Sequence, residues 1–293
     1  MERRGAAAAI AILRVPNALT AAADVLAGFG AAGGAFHENR AALPLLMAAS
    51  ALLYAGGVAL NDVVDADEDR RHRPSRPIPS GAIERSRAAV VALAAGCAGL
   101  LLAASGGAAT LLTALGLVAA ILAYDLLLKR SGPAGALALG VCRALNMGLG
   151  ASLAASSAFA LPQPAFAFGA YVTALGAVGL GEERGTSAVR HRAGLAALLA
   201  GAAAAPILCP NPLFGLAVLL PFLAPLGLRC ARAVRESRPA DALVVRSAVR
   251  EGVLAIPGID AAILAGHSRW TEAAAVVAIA LLARLVARRL AVA

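Results

Sequence analysis

The residues from Asn61 to Gly81, NDVVDADEDRRHRPSRPIPSG, gather charge in a chain built mostly of Ala, Leu, Val and Gly. Asp62, Asp65 and Asp69 are spaced i, i+3 and i+7. On a single α-helix they point the same way, within about 60° at roughly 100° per residue, and Asn61, one turn before Asp65, joins that face. Like charges on one face repel by roughly a few tenths of a kcal/mol per pair, and a cation removes that cost. Carboxylate oxygens without cysteine or a well-placed histidine suit a hard ion, and Mg²⁺ is the hard ion that bridges protein carboxylates to a diphosphate. Taken alone, such a run reads as a solvated loop between helices. The shared face, the apolar surroundings and the arginines that follow (Arg70, Arg71, Arg73, Arg76) weigh against that. Asp67 and Glu68 fall on other faces and are expected to be solvated.

The elements that must position this stretch are membrane helices. The chain has 293 residues, 60% hydrophobic and only 15% charged, with mean hydropathy +0.78, outside the range of an ordinary soluble domain. Apolar runs of about twenty residues recur from end to end, each long enough to cross a bilayer. They do not alternate, which argues against a β-barrel. The pattern predicts one all-α, polytopic integral-membrane domain over residues 1–293, with spans at 17–36, 42–61, 87–105, 107–127, 134–155, 164–181, 192–209, 211–231, 242–265 and 271–290. The first residues, MERRGAAAAIAILRVPN, faintly resemble a signal peptide. The next apolar run follows at once and Arg14 interrupts the pattern, so they are read as a short interfacial lead-in. Cys97, Cys142, Cys209 and Cys230 are scattered without CxxC spacing and are expected to pack, not to bind zinc or form disulfides.

The net charge of +9 could suggest nucleic acid, but its distribution follows membrane topology instead. With the N-terminus inside, the basic residues fall on the cytoplasmic side: Arg3, Arg4 and Arg14; Arg70 to Arg87; Lys129 and Arg130; Arg184, Arg190 and Arg192; Arg229 to Arg246; Arg284, Arg288 and Arg289. The outer loops keep Arg40 and Arg269. Ten crossings preserve this bias, and nine would put the last arginines outside. The inner loops after the second and sixth spans carry most of the polar chemistry, a hint of a pseudo-repeat of four helices. Within the spans, Arg143 and Asn146 lie i and i+3 on the fifth helix and are expected to face a cavity, as charges inside a membrane usually do. Asp24 could serve an acceptor or pair with a base. Asp260, after Pro257-Gly258, is expected to be structural, and His191 to be an exposed loop residue.

These residues carry a specific resemblance. Asn61-Asp62-x-x-Asp65-x-x-x-Asp69 followed by Arg76-Pro77-Ile78-Pro79-Ser80-Gly81 resembles the first aspartate-rich motif of the UbiA superfamily of intramembrane prenyltransferases. Arg14 to Thr20, with Asp24 beyond, resembles that family's opening helix, and Tyr124-Asp125-x-x-x-Lys129-Arg130 its tyrosine–lysine stretch. The resemblance implies a bundle of nine to ten helices around a central cavity. It also implies Mg²⁺-dependent transfer of a prenyl group from a polyprenyl diphosphate to an aromatic or other lipophilic acceptor, with the site facing the cytoplasm, in the plasma membrane if the cell is prokaryotic. It implies no nucleic-acid partner, and no obligatory protein partner can be inferred. Asn61, Asp62, Asp65 and Asp69 would then hold the metal. Arg76, Lys129 and Arg130 would clamp phosphate oxygens, Tyr124 would face the phosphate or the allyl cation, and Arg143, Asn146 and Asp24 would serve the substrates.

One departure stands out. The family's second motif, DxxxD, belongs after the sixth helix, where this chain reads Gly181-Glu182-Glu183-Arg184-Gly185. Glu182 or Glu183 could hold a second ion alone. Otherwise the second metal is missing or the chain has drifted from the usual reaction, and the alternative reading is a degenerate scaffold that binds or moves a lipid precursor.

Overall fold

The computed structural model describes residues 12–183, 185–236 and 239–292, apart from the side chains of Pro16 and of residues 287–292. The lead-in through residue 11, Arg184, Arg238, Ala293 and the side chains of Arg288 and Arg289 lie outside it. All the named elements are helical: α1 (Val15–Ala31), α2 (Ala42–Val64), the short α3 (Ala66–His72), α4 (Arg85–Ala104), α5 (Ala108–Ala123), α6 (Pro133–Ala155), α7 (Gln163–Gly179), α8 (Ala188–Ile207), α9 (Pro212–Glu236), α10 (Ala242–Gly266) and α11 (Trp270–Val292). The ten long helices coincide with the ten predicted spans to within a few residues. The first ends at Ala31, not 36, because Gly33 takes φ +78 and turns the chain out of the helix.

Five helical stretches are long and apolar enough to cross a membrane by length and composition: Ala42–Val64, Arg85–Ala104, Ala108–Leu128, Pro133–Ala155 and Pro212–Glu236. Helices α1 and α7 have 17 residues each. Helices α8, α10 and α11 carry arginines or acids that lower their hydropathy. The exterior is lined with exposed Val90, Leu93, Leu101, Leu127, Leu213 and Leu220. In water such a surface would aggregate, whereas in lipid it is the favoured outer face.

Successive long helices pack as neighbours, and α11 closes the ring against α1. Helix α1 also touches α6 and α10, so its residues are continuously buried from Thr20 to Gly30. Small residues permit this. A Cβ on Gly28 would run into the Met147 carbonyl of α6, and one on Gly150 into the Val25 carbonyl of α1. Gly28→Leu is therefore expected to destabilise by more than the ~1–3 kcal/mol of ordinary overpacking, read as a lowered thermal midpoint in detergent. Gly96→Ala, where a Cβ meets open space in α4, should leave the midpoint unchanged or raise it.

Candidate active site

Inside the ring lies a cavity of ≈ 600 Å³ walled by α1, α2, α5, α6, α7 and α10. Its walls are largely apolar (Leu117, Ile121, Leu139, Val172, Leu175, Val253). One end is polar, with Arg14, Asn61, Arg73, Tyr124, Asp125, Lys129 and Glu182.

The aspartate stretch does not form one continuous helix. Helix α2 stops at Val64, and Asp65, at φ −85 and ψ 1, joins it to α3. The break splits the expected common face. Asp62 and Asp69, each 4% exposed, turn toward the same point: Asp62 Oδ1 lies 3.2 Å and Asp69 Oδ2 2.6 Å from Arg76 Nη1. Arg14 Nη2 donates to the same Asp62 oxygen at 2.9 Å. Arg14 holds a left-handed backbone, φ 44, at the start of α1, a conformation uncommon for a side-chain-bearing residue. Asp65 instead meets Lys129 Nζ at 2.6 Å. That contact is a close, charge-assisted ion pair. Asn61 does not join the aspartates: its Nδ2 donates to Asp125 Oδ1 at 2.8 Å.

Tyr124–Leu128 forms one π-helical turn, closed by Lys129 N–H donating to the Tyr124 carbonyl at 2.9 Å. This i to i+5 closure stacks Tyr124 and Lys129 one above the other and brings both, with Asp125, to the cavity. Arg130 is 69% exposed: its Nη2 pairs with Glu68 at 2.9 Å on the surface and lies 4.0 Å from Asp65 Oδ1. Asp67 is likewise a surface residue, paired with Arg70 and Arg85.

Among the described residues no group of three or more acidic, histidine or cysteine side chains is close enough to hold an ion on its own. Two carboxylates do converge, and the nitrogen of Arg76 sits where they meet. The Arg76 guanidinium thus bridges the two carboxylates, and Arg14, which lines the cavity, reaches the same Asp62 oxygen.

The two glutamates are separated by the turn after α7. Glu182 lines the cavity and Glu183 is exposed. The turn is fixed by a bridge between Thr186 and Ala240, with N–H to carbonyl distances of 2.8 and 2.9 Å, and by Arg246 Nε donating to the Glu182 carbonyl. Toward the deep end, Arg143 Nη1 donates to Asp24 Oδ2 at 2.6 Å and Asn146 Nδ2 to the same oxygen at 2.8 Å. Arg143 also lies 5.1 Å from the centroid of the Tyr54 ring. Arg143 and Asn146 line the cavity, and Asp24 is fully buried behind them.

A model of the UbiA prenyltransferase family matches residues 21–249. The chain belongs to the UbiA prenyltransferase family. Its similarity to digeranylgeranylglyceryl phosphate synthase of Metallosphaera sedula is 33% identity over 136 residues, 46% of this chain and 48% of that protein. The chain thus spans about half the length of the curated relatives it matches. The fold is shared with a UbiA homologue from Aeropyrum pernix K1, with TM-score 0.65 and 20% identity over 85% of this chain and 97% of that one. It is shared also with a structure of digeranylgeranylglyceryl phosphate synthase, with TM-score 0.62 and 17% identity over 91% and 99%.

Against this UbiA-family frame, sequence reading missed Asp125, which holds Asn61, and Tyr54, which backs Arg143. Their only signals were a position inside the tyrosine–lysine stretch and an aromatic in an apolar span. One expectation is corrected. His191 is not an exposed loop residue: it lies in the first turn of α8, is 4% exposed, and borders a second pocket with Arg229 and Glu251. Asn61 turns its amide to Asp125 in this structure. Of the cysteines, Cys209 is buried, Cys142 and Cys230 half-buried and Cys97 exposed on the outer face of α4, and all are free.

Proposed function

We propose that this chain transfers a prenyl group from a polyprenyl diphosphate to an aromatic or other lipophilic acceptor within the bilayer, with Mg²⁺ at a cytoplasm-facing mouth of the cavity. The convergence of Asp62 and Asp69 on Arg76, joined through Asp62 to Arg14 at the charged end of an apolar cavity, carries this reading. Asp62 and Asp69 would hold the ion, with Asp65 and Glu182 near it and Asn61 acting through Asp125. Bound there, Mg²⁺ would stabilise the negative charge that grows on the departing diphosphate.

The chain's own groups do the rest. Arg14, Arg76 and Lys129 now neutralise carboxylates. They stand at the same mouth and can turn to phosphate oxygens, where charge-assisted hydrogen bonds in a water-poor site are strong. Tyr124 faces the cavity with its phenol available to the phosphate or the allylic carbon. Arg130, on the surface, contributes attraction at the mouth and no clamp. The apolar walls bury the prenyl chain and keep water from the allylic carbon. Arg143 and Asn146 meet the acceptor, oriented by Asp24. The name of the archaeal relatives adds a prenylated glyceryl phosphate to the acceptors worth testing.

Purified protein in nanodiscs, given labelled geranylgeranyl diphosphate, Mg²⁺ and a panel of phenolic, naphthoic and glyceryl phosphate acceptors, is expected to release pyrophosphate and form a prenylated product. The absence of a three-acid cluster among the described residues, and of an aspartate at 181–187, favours a second reading, a scaffold that binds the diphosphate without cleaving it. Binding without cleavage with every acceptor would decide for the scaffold.

The cytoplasmic mouth is itself testable. Single cysteines at Ser75 and Gly185, in a variant lacking the native cysteines, should resist a membrane-impermeant thiol reagent in intact cells, while one at Gly107 should react. The reverse pattern overturns the orientation.

A further inference from the structure

Behind the deep end of the cavity, the Asp24 carboxyl that orients Arg143 has a second carboxyl as its neighbour, one to which the proposed reaction gives no role. Asp24 on α1 and Asp260 on α10 are both fully buried. Asp24 lies about 14 Å along α1 from Val15, and Asp260 about 9 Å along α10 from Gly266, so both are deep within the bilayer's thickness. Asp24 Oδ2 is occupied by Arg143 and Asn146. Asp24 Oδ1 and both oxygens of Asp260 meet no hydrogen-bond donor among the described residues. The two carboxyl groups are neighbours on helices α1 and α10, which pack against each other.

Two ionised carboxylates cannot hydrogen-bond each other, because each only accepts. Their two negative charges against the single Arg143 guanidinium would also leave a net charge inside the membrane, which is costly. One proton between them removes both problems, as in carboxylate pairs that share a site. The other restraints around Arg143 are weaker: the Tyr54 ring and a 3.4 Å contact to Thr20 Oγ1. Asn146, in contrast, is also held by the Ala21 carbonyl at 2.8 Å and by Ser50 Oγ at 2.6 Å. Loosening Asp24 therefore frees Arg143 more than Asn146.

We infer that Asp260, in its acid form, donates to Asp24 Oδ1 and so fixes the Asp24–Arg143 pair at the acceptor end of the cavity. Asp260 is a positioning residue, two contacts away from the substrate. Its kinetic consequence rests on the prenyl-transfer reading, and its hydrogen bond does not.

Infrared difference spectroscopy tests the bond in the full chain in nanodiscs. Wild type minus Asp260→Asn should show one carboxylic-acid carbonyl stretch, slow to shift in D2O. Absence of that band overturns the inference whether or not the protein turns over. Kinetics test the positioning with whichever panel acceptor supports turnover. Asp260→Leu should raise its KM about tenfold, the scale of one buried hydrogen bond, with the prenyl diphosphate KM unchanged. Asp260→Asn, whose amide can still donate to Asp24, should restore the wild-type value. If both KM values rise together, or Asn is as damaging as Leu, Asp260 is merely structural. Should Asp260→Leu fail to fold, the infrared difference and the Asp260→Asn kinetics still decide.

Discussion

Asp62→Asn is expected to lower turnover by roughly 10²–10³-fold, the scale seen when a group stabilising transition-state charge is lost. Asp67→Asn should stay close to wild type. The contrast comes from placement and not from charge, since each substitution removes one negative charge from the same motif. Asp62 is buried, receives Arg14 and Arg76, and shares Arg76 with Asp69. Asp67 has a side chain 63% exposed and pairs only with surface arginines, contacts that contribute at most about 1 kcal/mol.

The Asp62 variant also has a distinctive signature. Removing the carboxylate leaves Arg14 without its partner and Arg76 with only Asp69. Diphosphate binding should then persist in weakened form, lose its dependence on Mg²⁺, and become more sensitive to salt, as binding by bare cations is. Calorimetry with Mg²⁺ and with EDTA measures this directly. An Asp67→Asn variant as impaired as Asp62→Asn, or an Asp62→Asn variant that keeps full Mg²⁺ dependence, would refute the assignment. A thermal midpoint measured beside it guards against misfolding, because unpairing a buried ion pair can itself cost about 3–5 kcal/mol.

The helices were legible in the sequence for a simple reason. A bilayer demands about twenty apolar residues with every backbone group satisfied internally, and that demand is written locally. The sequence singles out Asp62, Asp65 and Asp69 as a group, but their geometry was not legible. Helical spacing assumes one uninterrupted helix, and the chain breaks at Asp65. Which cation each carboxylate meets depends on Arg14, Arg76 and Lys129, brought from three other segments. The π turn at Tyr124 could not be seen either, because a one-residue change of register leaves the apolar pattern almost intact.

Asp260 shows the same limit more sharply. In sequence it is one acid in an apolar run beside Pro257-Gly258. Its relation to Asp24 exists only once α10 packs on α1. The partner of the Asn61 amide was hidden for a related reason: Asp125 comes from a distant segment.

The second large effect concerns the two glutamates that stand where the family's second aspartate motif belongs. Glu182→Gln should lower turnover by roughly two to three orders of magnitude, and Glu183→Gln should have little effect. The sequence treats the two alike, since adjacent residues of one type differ only in direction. The turn after α7 separates them, with Glu182 on the cavity wall and Glu183 in solvent. The Glu182 backbone is pinned by Arg246, and the turn by the Thr186–Ala240 bridge, so this direction is held by contacts outside the motif. Glutamine preserves shape and removes charge, so a loss of turnover reports the carboxylate itself. Prenyl diphosphate binding should persist through Asp62 and Asp69, while the Mg²⁺ concentration giving half-maximal rate shifts upward. If Glu182→Gln is fully active, the cavity works with the first motif alone and a second ion has no ligand here. If Glu183→Gln is the damaging change, the turn takes a different conformation when substrate is bound. A wild type that never cleaves the diphosphate makes both variants silent in turnover and returns the question to the scaffold, where neither substitution should alter lipid binding.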